Sequence, residues 1–296
     1  MVVSPKVVGI RYSLAIQKFF SKIVKNLRQT EGNPYFCEPN NKNVKLTFLG
    51  TGTSQGVPVV ACQCPVCQSD DPKDKRLRAS VMIEDEDLRL IIDAGPDFRQ
   101  QMLMHQVRHL NGILLTHEHT DHIFGLDDIR AFNWVQGQPT DIYAEERVQI
   151  AIRRIFDYVF APYTYPGIPQ MHLHLIENKP FRIGELEILP IRGFHYKLPV
   201  FGFRFRKIAY VTDVNRLEEA EINKLRGLDV LVLNALRKED HISHYNLSQA
   251  IEIISEVKPA KAYLTHMSHQ MGFHDEVQKE LPENVFLAYD GLMVVD

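Results

Sequence analysis

The chain has 296 residues, of which 45% are apolar and 24% are charged, and these proportions are ordinary for a globular protein with a substantial core. Its net charge of −3 gives no general attraction to nucleic acid, so we expect any contact with a polyanion to be local. No run approaches the roughly 18 uninterrupted apolar residues that a membrane-spanning helix needs. Basic residues interrupt the first apolar run, which argues against a secretory signal and makes the cytoplasm the expected location.

The first 43 residues have a different pattern from the rest of the chain. Between Ile16 and Leu27, apolar residues recur at helical spacing and basic residues fall elsewhere on the wheel, which predicts a basic amphipathic helix. Such a helix would pack on its own domain or contact a membrane surface or a partner. Residues 31–43 are rich in Asn and Pro and predict a linker. We therefore predict an N-terminal extension over 1–43 and a single domain over 44–296.

From Val44 the pattern changes to short apolar strands separated by polar turns. In the first half we predict strands over 44–50, 79–84, 88–95 and 112–119, then a helix that begins near Gly125 and carries Leu126, Ile129, Phe132 and Trp134. In the second half we predict strands over 186–193, 201–206, 207–213, 229–235, 261–266 and 285–291, and helices over 216–226 and 246–257. Strands interleaved with helices predict an α/β fold in which helices cover the sheets.

The strongest chemical signal is the motif HEHTDH, which directly follows the apolar segment GILLT. It places four nitrogen and oxygen donors within six residues: His117, His119, Asp121 and His122. Imidazole and carboxylate groups are suitable ligands for zinc, manganese or iron. We expect His117 and His119 to point to one metal ion, and Asp121 and His122 to reach a second.

Three further candidate ligands stand at the ends of predicted strands in the second half. His195 follows in GFHY, Asp213 in YVTD and His266 in YLTH. Each of them alone is weak, because a polar residue at a strand end is commonly only a hydrogen-bonded turn residue. Their order after the HEHTDH motif makes a shared metal site the stronger interpretation.

That order, HxHxDH followed by His, Asp and His, resembles the metallo-β-lactamase superfamily over residues 44–296. The resemblance implies a four-layer αββα sandwich with the site at one edge of the two sheets. It implies that His117, His119 and His195 hold one metal ion, that Asp121, His122 and His266 hold the other, and that Asp213 bridges them. Asp93, in LIIDAG, matches the carboxylate of the first superfamily motif, which orients the ligand histidines without binding the metal itself. The alternative is that Asp93 only forms the turn at the end of a strand.

A second motif, ACQCPVCQ, clusters Cys62, Cys64 and Cys67. Three cysteines in a reducing compartment predict a metal site rather than disulfides, and tetrahedral zinc needs a fourth donor. His269, three residues after His266, is a candidate for that donor. The glycine loop GTGTSQGVP followed by CxCxxC resembles the PhnP-type cyclic phosphodiesterases. That resemblance implies a structural zinc, a cyclic ribose phosphate as substrate, manganese at the catalytic pair, and a homodimer as one option.

A third feature, DHISHYNLSQA, precedes a predicted helix. His244 matches the catalytic histidine motif of superfamily phosphodiesterases, including the tRNA 3′-end endonucleases, and would protonate the leaving oxygen or stabilise charge on phosphate. His241 is a nearby alternative for the same role. A helix-capping loop, with Ser243 or Asn246 as the cap, is the structural interpretation of the segment.

Together these motifs predict a dinuclear hydrolase that cleaves a small phosphodiester. Two manganese or zinc ions would lower the pKa of a shared water, and the resulting hydroxide would attack phosphorus. The candidate catalytic residues are His244, Asp213 and Asp121. A tRNA 3′-processing endonuclease is one alternative; it would need a substrate-clasping arm and a basic track, and the acidic charge balance and the lack of an obvious Gly/Lys-rich arm argue against it. A metal-binding carrier or sensor without turnover, similar to the PqqB proteins, is the other; those depart from the full HxHxDH ligand set, which is intact here.

Overall fold

The computed structural model describes residues 43–162 and 165–296, and these form two mixed β-sheets. The N-terminal helix predicted around residues 16–27 lies outside the described residues. The strands are β1 (Lys45–Gly50), β2 (Ser80–Asp85), β3 (Leu88–Ile92), β4 (Gly112–Leu114), β5 (Thr140–Ala144), β6 (Met171–Leu175), β7 (Phe181–Ile183), β8 (Leu186–His195), β9 (Leu198–Phe205), β10 (Ile208–Val211), β11 (Arg216–Leu217), β12 (Val230–Asn234), β13 (Lys261–Thr265), β14 (Val285–Leu287) and β15 (Met293–Val295).

Helices occupy the connections between these strands. They are α1 (Pro65–Gln68), α2 (Phe98–Met104), α3 (Thr120–Ile123), α4 (Arg130–Gln136), α5 (Glu146–Ile155), α6 (Asp157–Phe160), α7 (Glu219–Lys224), α8 (Leu247–Val257) and α9 (His274–Gln278), with 3-10 turns at Pro72–Asp74, Phe124–Ile129 and His269–Met271. In the described part of the chain, no helix has the length and apolar character that crossing a bilayer requires.

The first sheet has the strand order β15-β1-β2-β3-β4-β5-β6, and the second has the order β11-β8-β9-β10-β12-β13-β14, with β7 paired to β8. Alternation along the strands divides the core into layers, because successive side chains point to opposite faces. In β2, Val81 and Ile83 pack in the cluster between the sheets, together with Phe203 and Tyr210 of the second sheet. Met82 instead faces the helices that cover the first sheet.

Helices cover the outer face of each sheet. On the first sheet, α2, α4 and α5 contribute Met102, Phe132 and Ile152 to a buried cluster. On the second sheet, Ile222 of α7 and Ile254 of α8 pack in the corresponding cluster. The layers therefore run helix, sheet, sheet, helix, which confirms the predicted αββα sandwich.

Several predicted boundaries were wrong for local reasons. The helix predicted over 216–226 begins only at Glu219, because Arg216 and Leu217 pair with β8 as the short strand β11. The helix predicted near Gly125 is divided into α3, a 3-10 turn and α4, and Trp134 is 70% exposed instead of packing in the core. The strands β5, β6, β7 and β15 were not predicted.

Candidate metal centre

The candidate site lies where several strands end at one edge of the two sheets. β3 and β4 are parallel neighbours, and so are β10, β12 and β13, so their carboxyl ends meet there. The polar residues at or after the strand ends are Asp93, His117, His195, Asp213 and His266. Asp93, Asp213 and His266 have positive φ angles of 65°, 58° and 57°. Residues other than glycine seldom adopt this conformation, and it clusters at functional sites.

The HEHTDH segment is packed tightly against the turn that follows β3. The N–H of Ala94 donates to the carbonyl of His122 at 2.7 Å. A Cβ atom at Gly95 would lie only 1.9 Å from the carbonyl oxygen of Asp121, so the close approach requires glycine. Helix α3 begins directly after His119, which places Asp121 and His122 in its single turn.

Asp121, His122, Asp213 and His266 form one compact group of ligand atoms, all within 4.8 Å of one another. Nε2 of His122 lies 3.2 Å from Asp121 and 3.4 Å from Asp213, and Nε2 of His266 lies 3.0 Å from Asp213. Tetrahedral zinc with ligands at about 2.0–2.1 Å places those ligands about 3.3 Å apart. Both Nε2 atoms are buried without an aligned hydrogen bond in the described part of the chain. This arrangement fits a metal ion held between the four side chains.

Asp93 orients His122 within this group. Its carboxylate accepts a hydrogen bond from Nδ1 of His122 at 2.7 Å, and it also accepts from the N–H and the hydroxyl of Thr116 at 2.9 and 2.8 Å. A histidine that donates from Nδ1 presents the lone pair of Nε2 to the opposite side. Asp93 is fully buried, so its contacts with Thr116 and His122 hold the imidazole towards the metal group.

His117, His119 and His195 form a second group of imidazoles. The ring centroids of His117 and His119 are 4.5 Å apart, and those of His119 and His195 are 5.0 Å apart. Nδ1 of His195 donates to the carbonyl of Ser243 at 3.0 Å, which leaves Nε2 free for a ligand. Nε2 of His117 is buried and has no hydrogen-bond partner among residues 43–162 and 165–296. Asp213 belongs to both groups of ligands, because it lies close to Asp121, His122 and His266 and also close to His195.

The charges of the site favour bound cations. Although burial raises the pKa of Asp213, the imidazoles of His266 and His122 more than offset this effect, and its pKa lies well below the ordinary value. Burial lowers the pKa of His266, but Asp213 and Asp121 raise it to about 9. The carboxylates thus attract positive charge, which protons or divalent cations can supply. Burial lowers the pKa of His195 to about 4, which keeps this imidazole in the neutral form that binds metals.

The structure distinguishes the two histidines that precede α8. Nε2 of His244 is 3.1 Å from Oδ1 of Asp213, and the His244 ring stacks on His266 with centroids 4.9 Å apart. His241 lies behind His244, with their Nδ1 atoms 3.2 Å apart. His244 also groups with His195 and Asp213 as a set able to hold a metal, which the sequence did not indicate. Asn246 caps α8 through a capping box, so the segment also has the structural role considered above.

The cysteine motif lies beside the segment after β13 that carries His266 and His269. Sγ of Cys62, Cys64 and Cys67 lie 3.3, 3.2 and 3.4 Å from Nδ1 of His269. These separations are close to the roughly 3.5 Å expected between sulfur and nitrogen ligands around a tetrahedral zinc ion. The N–H of Cys67 is the main cause of a lowered pKa of about 6 at Cys64, which favours the thiolate form. The four side chains therefore fit a structural metal ion.

Sequence reasoning missed a clamp on the HEHTDH loop. Arg147 of α5 donates to Glu118, which lies between the first two histidines of the motif, and to the carbonyl of Pro199 in β9. Its Nε also lies 3.1 Å from Glu145, which in turn pairs with Arg192 at 2.5 Å. The clamp ties the metal loop of the first sheet to the β8–β9 hairpin that carries His195. Nothing in the spacing of these residues marks them, because they come from three distant segments.

The chain resembles known proteins in sequence and in fold. A family model for the beta-lactamase superfamily domain matches residues 88–267. The chain is 39% identical over 255 residues to a Porphyromonas gingivalis protein named octanoyltransferase, a match that covers 85% of this chain and 51% of that protein. The chain thus spans about half the length of that relative.

Two further similarities cover more of the other protein. The coenzyme PQQ synthesis protein B of Methylobacterium nodulans is 30% identical over 225 residues, which cover 64% of this chain and 72% of that protein. A crystal structure described as a new diphosphatase from the PhnP family aligns with a TM-score of 0.79 and 37% identity, and the match covers 85% of this chain and 97% of that one.

Proposed function

The chain belongs to the metallo-β-lactamase superfamily, in its PhnP-type group, and from that premise we propose that it is a metal-dependent phosphodiesterase acting on a small cyclic ribose phosphate. The observation that carries the proposal is the position of Asp213, which groups with Asp121, His122 and His266 on one side and with His195 on the other. A carboxylate shared between two cation positions suits hydrolysis at phosphorus, where charge develops on the attacking and leaving oxygens.

In this proposal each group of side chains has its own role. The residues that would hold the two ions are His117, His119 and His195 for one, Asp121, His122 and His266 for the other, and Asp213 for both. Manganese or zinc, when bound, supplies Lewis-acid charge that polarises the phosphate and makes water nucleophilic at neutral pH. Asp93 and Ser243 fix the orientation of the imidazoles of His122 and His195.

Proton transfer is assigned to His244. Its contact with Asp213 at 3.1 Å supports this role, because an imidazole beside the proposed bridging carboxylate could pass a proton to the leaving oxygen. His241, which is less buried, lies 3.2 Å behind it and can return a proton from solvent. Cys62, Cys64, Cys67 and His269 would hold a structural zinc outside this pathway.

Two other functions compete with this one. A tRNA 3′-processing endonuclease would need a basic track for a polyanion, and the net charge of −3 disfavours it. A metal carrier related to the PQQ synthesis proteins is favoured by the 30% identity to protein B, but it would not require a histidine in contact with Asp213. The octanoyltransferase relative does not define a third candidate, because the chain matches only half of it.

A metal analysis combined with a substrate series tests the proposal. Purified protein should contain about three metal ions per chain and should hydrolyse bis(p-nitrophenyl) phosphate and a ribose cyclic phosphate, but not pre-tRNA. Asp213→Ala should abolish turnover with unchanged circular dichroism, whereas Asp229→Ala, at a partly exposed position before the start of β12, should retain it. Cleavage of pre-tRNA would support the endonuclease. Zinc at the cysteine site alone, without turnover, would support the carrier.

A further inference from the structure

A cavity of about 570 Å³ opens directly beside the metal centre. His119 and His195 form its inner end, and Tyr196, Leu198 and Ile242 form much of its outer wall. The volume is in the range of small-molecule sites, in which an apolar wall and a few polar groups fix the orientation of the ligand. A substrate whose phosphate reaches the metal centre from this cavity must bring the rest of its structure against that wall.

The outer wall exposes apolar groups that the fold does not bury. Tyr196 is 50% exposed and Ile242 is 67% exposed, although the two residues come from separate loops. Tyr196 also has a φ angle of 58° at the turn between β8 and β9, a conformation that is unfavourable for a bulky residue. An exposed aromatic ring on a strained turn needs a reason, and contact with a ligand provides one.

Asn215 fixes both sides of this wall. Its Oδ1 accepts from the N–H of Tyr196 at 2.9 Å, and its Nδ2 donates to the carbonyl of Ile242 at 2.8 Å. The N–H of Asn215 donates to the carbonyl of Phe194 at 2.9 Å, which anchors it to β8. The wall is therefore organised before any ligand arrives, and preorganisation of this kind favours binding.

A positive charge stands at the same rim. Nζ of Lys197 lies 5.3 Å from the centroid of the Tyr196 ring. The face of the Tyr196 ring that a cation contacts is also a surface on which a planar group can stack. The ammonium group of Lys197 would in addition attract an anionic substrate towards the cavity.

We propose that Tyr196 is a specificity-determining residue for phosphodiesters that carry a planar ring beyond the reacting phosphate, and that Asn215 is its positioning residue. The ring of the substrate packs on Tyr196 and against Ile242 while the phosphate reaches His119 and His195. This inference rests on the proposed phosphodiesterase function and adds to it the class of substituent that the enzyme prefers.

Two substrates with the same scissile bond test the inference: uridine 2′,3′-cyclic phosphate, and 1-O-methylribose 2,3-cyclic phosphate, which lacks the base. Stacking of one base on an aromatic side chain corresponds to roughly a 5- to 150-fold effect. We expect the wild-type protein to prefer the uridine substrate by about tenfold or more in kcat/KM. Tyr196→Ala and Asn215→Ala should bring the ratio close to one, chiefly through KM, and Tyr196→Phe should preserve it. Tyr165→Ala, which removes an exposed tyrosine elsewhere, is the matched control.

The outcomes separate the inference from the proposed function. Equal kcat/KM values for the two substrates in the wild-type protein, or equal losses on both in Tyr196→Ala, would overturn the inference while leaving the phosphodiesterase in place. Hydrolysis of neither cyclic phosphate nor bis(p-nitrophenyl) phosphate by metal-loaded protein would overturn the proposed function and the inference with it.

Discussion

Replacement of Asp93 by Asn is a sharp test of how the metal centre is oriented. Oδ2 of Asp93 accepts hydrogen bonds from both Thr116 and His122, at 2.8 and 2.7 Å. In Asp93→Asn the amide can satisfy only part of this pattern. If its oxygen takes the Oδ2 position, the NH₂ faces the N–H of Thr116; if the NH₂ takes that position, His122 must accept from it, so the imidazole proton moves to Nε2. A protonated Nε2 cannot bind a metal ion. Asn tolerates the φ angle of 65° about as well as Asp, so backbone strain is not a competing cause.

The expected loss follows from the role of Asp93 behind the ligands. Changes to groups that orient metal ligands typically lower metal affinity by about 10- to 100-fold, which corresponds to about 1.4–2.7 kcal/mol. Unsatisfied donors at a buried position should also lower the free energy of unfolding by about 1–3 kcal/mol. We expect competition titration with a chromophoric chelator to show weaker zinc binding at one of the two catalytic positions, and turnover at limiting metal to fall in parallel.

The matched control is Asp85→Asn. Asp85 is also a buried carboxylate at a strand end, and it pairs with Arg206 at 2.9 Å, far in the sequence from any predicted metal ligand. Its replacement should lower stability and leave zinc affinity unchanged. Wild-type zinc affinity in Asp93→Asn would refute the argument that this hydrogen bond sets the tautomer of His122. Equal loss of affinity in both variants would show that only general destabilisation is being measured.

Three further predictions concern the rest of the molecule. Cys64→Ser should release about one zinc ion per chain and lower the free energy of unfolding by about 4 kcal/mol, the scale of a lost structural metal, as measured by atomic emission and denaturant titration; retention of zinc would contradict the site. Arg147→Met should leave Glu118 without its partner, destabilise the fold by about 1–2 kcal/mol and weaken metal binding, whereas Arg182→Met, in an exposed ion pair, should change stability by less than about 0.5 kcal/mol. Burial raises the pKa of Glu84, but the ammonium of Lys45 and the guanidinium of Arg89 lower it by more than burial raises it. The pKa of Glu84 therefore lies below the ordinary 4.5. Its stabilisation is therefore present above the ordinary pKa of 4.5 and is lost as the pH falls through the lowered pKa, so Glu84→Gln should destabilise the protein more at pH 7 than at acidic pH in denaturant titrations.

Sequence reasoning located strands with long apolar runs and missed several shorter strands, including β5 and β6 at one end of the first sheet. β1, β2 and β12 were predicted close to their observed bounds. They belong to sheets that are covered on both faces, so most of their residues are apolar. β6 carries His172 and His174 on an exposed edge, and its pattern is too polar to identify a strand without its partner β5. Edge strands are stabilised by pairing with distant segments, which a local pattern does not contain.

The sequence by itself determined which groups are available for chemistry. HEHTDH and CxCxxC each concentrate ligand atoms within a single loop. Because a short loop can present such atoms together in few ways, the types of donor and the number of candidate sites follow from the spacing of residues within each motif. Only the tertiary structure decided which distant residues share those sites. It brought Asp213 and His244 within 3.1 Å of each other, set Arg147 against Glu118, and joined Tyr196 to Ile242 through Asn215. The physical reason is that these contacts depend on how two sheets pack and how their strand ends turn, which is fixed by long-range burial and not by the spacing of residues along the chain.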